Sequence, residues 1–447
     1  MPSTAYAAST PAAGTAAVTG CQPQAGIACA HPIPMITDHI AATHLDAIPT
    51  DSQCEADYDL TCYTGKQLLT AYDLPQLFKR GITGAGRTIM LVDGYDDPNL
   101  QTVLNTYDKA MGLPNTTVHV EKFGKMPTFD PANPEMEGWA GETELDIEIA
   151  HLDAPGAKIV VAEAGTDAAG DVEFPQLMAA VQGAAANGGD VISMSWGDFE
   201  PNFWTAQTGY KDLTDLRGPF AYAVEHRVTL VAATGDTGAA GISDATGNLT
   251  STPEVSWPSS DPDVTAAGGT ELNLNAAGQR LSPDVVWNDQ ALGYGAAGGG
   301  HSVVFPRPAY QNTVANVAGS YRSTPDISAS AAVNGGSLIY WSSATGDPGW
   351  AIVGGTSEAS PTVAAITALA DQAAGHRLGN INDELYTLQH FAGYSRWSGL
   401  IQVTQGNNSF GTVTGYSAGP GYNDAAGLGT FNADELVSAL AVLGGRI

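Results

Sequence analysis

The 447 residues carry 17 Lys and Arg against 47 Asp and Glu, a formal net charge of −30 at pH 7. Such a polyanion lacks the surplus of Lys and Arg on which nucleic-acid or anionic-membrane binding depends, so neither is expected as a partner. Only 14% of residues are charged and 43% are apolar, which excludes a charge-dense disordered chain and supplies a large core. The charge itself reads two ways. Near neutrality it is self-repulsion; at about pH 3 to 4 most carboxylates are protonated and little charge remains. An acidic habitat is therefore one expectation, with a halophile surface or plain solubility as the alternative. The 53 glycines, spread without a period, point to many tight turns.

No stretch reaches the roughly 18 apolar residues that a membrane span needs. The N-terminus, MPSTAYAAST, lacks the basic and apolar regions of an intact signal peptide. The chain is then either intracellular or a trimmed, mature form, and the cysteines favour the second. All four, Cys21, Cys29, Cys54 and Cys62, lie in the first 62 residues. Disulfides in an oxidising compartment are expected, with Cys21–Cys29 and Cys54–Cys62 the closest of three connectivities. A metal site is the weaker alternative, because the spacing lacks C-x-x-C.

Residues 1–55, rich in Ala, Thr and Pro with little periodicity, read as an extended arm, and 56–447 as the main domain. Arg87–Val92, Lys158–Ala164, Asp190–Ser195 and Thr229–Ala233 carry strand signatures. Glu142–Leu152 and Val172–Asn187 read as helices between them. Alternation of this kind predicts an α/β fold: a doubly wound, mostly parallel sheet covered by helices on both faces. In such sheets function gathers at the carboxyl ends of strands, where Asp93, Trp196 and Asp236 sit. From Gly238 to Gly355 glycine, serine and proline are dense, and long loops with short strands such as Val303–Phe305 and Ser337–Trp341 are expected. A helix opens at Ser357, with Pro361 early in it.

Gly354-Gly355-Thr356-Ser357 places a serine at a helix N-terminus, where backbone donors and the positive end of the dipole face whatever the hydroxyl attacks. The bland reading is an N-cap serine. A nucleophilic serine needs a base, and none of the nine histidines has a recognisable setting; His151, on the acidic helix, is the nearest. At about pH 3 to 4 an imidazole is already protonated, whereas a carboxylate still accepts a proton. Carboxylates are plentiful on Glu142-Thr143-Glu144-Leu145-Asp146-Ile147-Glu148. Glu142 and Asp146 share one face, as do Glu144 and Glu148, and either pair held close would share a proton. Spacing does not choose between them, and a solvated acidic helix is the alternative to both. Asp236 stands in Gly235-Asp236-Thr237-Gly238. An aspartic-protease reading fails for want of a second Asp-Thr-Gly or Asp-Ser-Gly. A protonated Asp236 donating to a developing oxyanion is the better role.

In order along the chain, these motifs resemble the sedolisins, or serine-carboxyl peptidases, from about Leu60 to the C-terminus. Glu142-x-x-x-Asp146 resembles their acid pair, Ser193-Met194-Ser195-Trp196-Gly197 a strand-end motif, and Gly235-Asp236-Thr237-Gly238 the oxyanion aspartate. Gly299-Gly300-His301-Ser302, Phe305-Pro306-Arg307-Pro308-Ala309-Tyr310-Gln311 and Thr324-Pro325-Asp326-Ile327-Ser328 follow their middle section. Gly355-Thr356-Ser357-Glu358-Ala359-Ser360-Pro361 resembles the nucleophile motif.

The resemblance implies a subtilisin-like fold and a secreted, monomeric enzyme that cleaves polypeptides in an acidic extracellular setting. Ser357 would be nucleophile, Glu142 the general base and then acid, and Asp146 the carboxyl orienting it. Asp236 would form the oxyanion hole with the Ser357 N–H. Asp93 and Trp196 occupy places that extend the proton network in some members, Asp93 being one methylene shorter than the usual glutamate. A tripeptidyl exopeptidase, or a silent peptide-binding relative, are the alternatives within the resemblance.

Two departures stand out. Members carry a large N-terminal prodomain, whereas some 55 residues precede the catalytic region here, as in a mature enzyme with an unusual arm. Their calcium site draws acids from positions held here by Gln402 and Asn423, beside Val403, Gly419 and Gly421. Amides in place of both carboxylates strip the site of charge, so no metal or cofactor is required and the loop is expected to be held by amide hydrogen bonds or water. Asp424 would rescue the site if the register slips by one residue.

Overall fold

The computed structural model describes residues 32–34, 38–41, 48–244, 246–342 and 348–444. Its centre is a sheet in the order Val285–Val286, Thr265–Glu271, Thr229–Ala233, Val191–Met194, Thr88–Gly94, Lys158–Ala164, His119–Phe123, with Ile327–Ser330 also paired to Thr265–Glu271. Every pairing is parallel except that of Val285–Val286. Strands buried on both faces must be apolar on both, and successive side chains split between two layers. Ile89 and Leu91 enter the layer that holds the helix Thr356–Ala374, and Met90 and Val92 the layer that holds the helix Phe174–Ala186. From Thr88–Gly94 the chain goes to the edge strand His119–Phe123, returns inward to Lys158–Ala164, and then crosses to Val191–Met194 on the other side of Thr88–Gly94. Its topological switch point thus lies between these two strands, where α/β sheets open a crevice at their carboxyl ends.

The expected α/β architecture holds. Lys158–Ala164 and Thr229–Ala233 form strands with those limits. The helix expected at Glu142–Leu152 begins eight residues earlier, at Pro134, because Asn133 caps it by accepting from the N–H groups of Glu135 and Met136. The edge strand His119–Phe123 escapes the sequence pattern because it is largely exposed and carries His119, Glu121 and Lys122.

The boundary expected at residue 55 falls inside the helix Asp51–Tyr58. That helix is tied across the boundary by the Cys54–Cys62 disulfide, as the closest pairing suggested; Cys21 and Cys29 lie outside the described residues. Two earlier pieces pair with the main body: Ile33–Pro34 runs antiparallel to Trp196–Phe199, and Asp38–Ala41 runs antiparallel to Gly349–Gly354.

Carboxyls are buried far in excess of cations. Asp93, Asp146, Glu148, Asp153, Glu163, Glu358 and Asp371 are all at most 3% exposed. Burial disfavours the charged form and raises their pKa values: Asp93, Glu358 and Asp371 to about 7, Asp153 and Glu163 to about 8. These groups keep protons when folded that they release when unfolded at about pH 4, so stability is present below that pH and is lost as pH rises toward 7 to 8. Each fully displaced proton costs about 1.4 kcal/mol per pH unit. Thermal unfolding followed in half-unit steps from about pH 4 to 7.5 is expected to show a steadily falling Tm. A flat or rising Tm over that window would show these carboxyls to be ionised in the native state.

Candidate active site

The helix Thr356–Ala374 starts from Gly355, whose φ of 135° lies outside the range open to residues with a Cβ. The Gly355 N–H donates to the Ala331 carbonyl at 2.6 Å, fixing the turn. Ser357 is therefore the second helical residue, and it is completely buried. Its Oγ has no hydrogen-bond partner. Four residues on, Pro361 lacks the N–H that would ordinarily close on the Ser357 carbonyl. The Ser195 hydroxyl faces that carbonyl instead at 3.4 Å, and also lies 2.9 Å from Asp146 Oδ1. Ser195 thus links the nucleophile candidate's backbone to the carboxyl pair.

Glu142 and Asp146 lie one turn apart on Pro134–Asp153, both fully buried. Burial, first, and then the negative charges of Asp93 and Glu142 hold the Asp146 carboxyl well above its usual range, while the hydrogen bond from Ser195 pulls the other way. Asp93, at the end of the central strand, is raised to about 7 by burial, with the Thr143 hydroxyl opposing. Asp93, Glu142 and Asp146 accordingly form one interacting group.

The second acidic pair belongs elsewhere. Glu144 accepts from the Ser342 N–H at 3.0 Å, and Glu148 accepts from the Tyr340 N–H at 3.0 Å, so both hold the strand Gly336–Trp341 against the helix. A Cβ at Gly141 would come within 2.3 Å of the Trp341 ring, which is why glycine precedes Glu142. The hairpin thus engages Glu144 and Glu148, while Asp146 interacts with Glu142 and Asp93.

Asp236 follows the strand Thr229–Ala233. Its Oδ1 accepts from the Thr356 N–H at 2.8 Å and the Thr356 hydroxyl at 2.7 Å. That same hydroxyl accepts from the Gly235 N–H at 3.0 Å. One carboxyl oxygen is pinned against the residue before Ser357. Trp196 does not extend the proton network as expected: its indole N–H donates to the Val92 carbonyl at 2.7 Å, bracing two strand ends. Ser195 and Thr356 are the residues that sequence reasoning passed over. The available signal was a hydroxyl adjacent to each expected functional position.

The loop positions of the expected calcium site do not fit a cation. Asn423 Nδ2 donates to the carbonyls of Val403 and Gly419 at 3.3 Å and faces that of Gly421 at 3.5 Å, while Gln402 Oε1 accepts from the Gly421 N–H at 3.3 Å. An N–H donor points at the oxygens that a cation would need. Asp424 offers no rescue, because it pairs with His301 at 3.2 Å and accepts from the Ser323 hydroxyl. Among the described residues no cluster of three or more His, Cys, Asp or Glu could hold a metal.

The subtilase family model matches residues 138–411. The chain belongs to that family. It lies on the sedolisin branch. Kumamolisin of Bacillus sp. (strain MN-32) is 32% identical over 394 residues, covering 85% of this chain and 64% of that protein. Mouse tripeptidyl-peptidase 1 is 30% identical over 271 residues, covering 56% and 43%. The chain thus spans less than two thirds of these relatives' lengths. The solved structure of Pseudomonas sedolisin, a serine-carboxyl proteinase, aligns with a TM-score of 0.74 at 27% identity over 86% of this chain and 99% of that one. The subtilisin-like fold of this sedolisin-branch chain places Ser357 at the start of its central helix, as the family motif implies.

Replacing Asn423 by aspartate would set an acceptor-only carboxylate against three carbonyl oxygens. At about pH 6, Asn423→Asp is expected to lose on the order of 1–3 kcal/mol and to recover it in millimolar calcium, while a chelator leaves the parent Tm unchanged. A parent Tm that drops with chelator would show that a cation holds the loop.

Proposed function

We propose that this chain is an acid-active serine-carboxyl endopeptidase, with Ser357 as nucleophile, Glu142 as general base and Asp146 as its orienting partner. The observation that carries the reading is the buried Asp93–Glu142–Asp146 group, linked through Ser195 to the residue whose unpartnered hydroxyl heads the helix. With Asp93 raised to about 7 and Asp146 well above the usual range, both stay protonated at about pH 4. Glu142, the third carboxyl of the group, takes the base role that the family motif gives its position.

In the forward step Glu142 takes the Ser357 proton as Oγ bonds to the scissile carbonyl carbon. Negative charge develops on the carbonyl oxygen at the helix N-terminus, where the Ser357 N–H donates to it. The Asp236 oxygen not held by Thr356 supplies a second hydrogen bond, as a protonated acid. Glu142 returns the proton to the leaving amine, and water repeats the sequence on the acyl-enzyme. No step needs a metal, in keeping with the amide-closed loop at Asn423.

The substrates are polypeptides, met as a monomer outside the cell in an acidic medium, in keeping with the surplus of buried, protonated acids. The catalytic unit is assigned to residues 56–447, together with the short helix that straddles its start. A tripeptidyl exopeptidase is the second reading, supported by the likeness to tripeptidyl-peptidase 1. A long peptide acetylated at its N-terminus separates the two, since an enzyme that needs the free amine leaves it uncut.

Hydrolysis of acid-denatured protein is expected to follow a bell-shaped pH profile centred below about 6. Ser357→Ala should reduce it to background with Tm nearly unchanged, because the hydroxyl makes no hydrogen bond. Asp236→Ala should lower kcat on the order of 10²- to 10³-fold. Full activity in Ser357→Ala, or an optimum near pH 8, would overturn the assignment.

A further inference from the structure

A buried carboxyl next to the nucleophile takes no part in these steps. Glu358 follows Ser357 directly in the chain, their Cα atoms about 3.8 Å apart, and stands in the first turn of the helix Thr356–Ala374. It is 2% exposed, and its Oε2 has no hydrogen-bond partner. A glutamate at the third helical position ordinarily reaches back to the N–H of the capping residue. Here that N–H, of Gly355, is taken by the Ala331 carbonyl at 2.6 Å, while the Glu358 N–H closes on the Gly355 carbonyl at 3.0 Å. The side chain therefore has no capping task and lies in the interior.

Its surroundings are neutral or acidic. The charge of Glu358 acts on Asp153, the last residue of Pro134–Asp153, and on the phenols of Tyr72 and Tyr107. Arg280 stacks over the Tyr72 ring but is paired with Asp284 at 2.8 Å. Among the described residues no Lys or Arg forms an ion pair with Glu358. Burial raises its carboxyl to about 7, and the nearby hydroxyls of Ser337 and Ser330 oppose that shift only in part. Glu358 is thus a neutral acid at about pH 4 and a carboxylate above neutrality. Once ionised, it stands at the positive end of the helix, the same end that the oxyanion of the proposed mechanism needs. Two anions at one helix end repel each other and divide one field.

We propose that Glu358 is a positioning residue for peptide hydrolysis: as a neutral acid it leaves the helix N-terminus to the developing oxyanion, and as a carboxylate it competes for that end and slows attack by Ser357. The inference rests on the peptidase reading of the same site. Its action differs from that of Asp93 and Asp146, whose protonation bears on the base Glu142. Glu358 acts where negative charge arrives. Because that charge exists only in the transition state and the tetrahedral intermediate, ionising Glu358 lowers kcat and leaves KM in place.

The test measures kcat and KM for a soluble peptide from about pH 4 to 7.5 in the full chain and in its Glu358→Gln and Glu358→Ala variants, at a temperature where each stays folded. The ratio of variant to parent kcat is expected to be near 1 at about pH 4 to 5 and to rise to about three- to fourfold at pH 7.5, as a group of pKa about 7 loses its proton. KM should not move. A residue needed only for packing gives no such gain, since its replacement lowers activity or stability at every pH. A ratio that stays flat or falls with pH in both variants, or failure of both to fold, would make Glu358 a packing residue and overturn the inference, while the Ser357-dependent hydrolysis of the parent stands. If the parent hydrolyses nothing at any pH, or Ser357→Ala hydrolyses as fast as it does, the peptidase reading fails and takes this one with it.

Discussion

The scarcity of positive charge governs this structure. With 17 Lys and Arg for 47 Asp and Glu, most buried acids have no cation to face, and an ionised carboxylate left alone in a low-dielectric interior is prohibitively costly. The remaining remedies are a proton, a backbone N–H or a hydroxyl. Each is found in its place. Glu144 and Glu148 take backbone N–H groups from the hairpin, Asp236 takes the N–H and hydroxyl of Thr356, and Asp93 and Asp146 keep protons. Arg322, which pairs with Asp326 in full burial, shows the usual ionic solution reserved for a structural position. The candidate catalytic acids Asp93 and Asp146 instead favour their protonated forms.

The same substitution of neutral donors for charge recurs far from the catalytic cleft. At Asn423 a side-chain N–H closes a ring of carbonyls, doing with one polarised bond what a divalent cation does with its field. Where carboxylates spend their time protonated, a cation site loses its ligands and an amide loses nothing. A surplus of acids over cations, a group of buried carboxyls raised above their usual range and an amide-closed loop are therefore consequences of one constraint.

How much of this was readable from sequence depends on whether the signal was local. Lys158–Ala164 and Thr229–Ala233 were legible because a strand buried on both faces must be apolar throughout. His119–Phe123 was not, since an exposed edge strand imposes no pattern. At the site, Ser357 was visible as a hydroxyl after two glycines, whereas the sorting of four acids on one helix was not. All four are fully buried, so no amphipathic face distinguishes them. Only the arrival of Tyr340 and Ser342, nearly two hundred residues later, shows which two are engaged in packing. Ser195 was quoted within a motif, but its task arises from Pro361, whose missing N–H leaves the Ser357 carbonyl to be met by another part of the chain. Such roles are made by long-range juxtaposition and leave no periodic trace.

The opening charge of −30 acquires a structural meaning from these placements. Had the acids been on the surface, the number would report solubility and say nothing of mechanism. Many instead lie in the interior with protonated states favoured by burial, so the formal charge counts ionisations that the folded protein resists. A fold that resists ionisation gains stability from acid, and a base drawn from the same group of carboxyls works only where its neighbours remain neutral. On the proposed mechanism, the pH at which the chain is most stable and the pH at which Glu142 accepts a proton beside a neutral Asp146 and Asp93 are tied by the same burial. Moving either toward neutrality would require cations that this sequence does not contain.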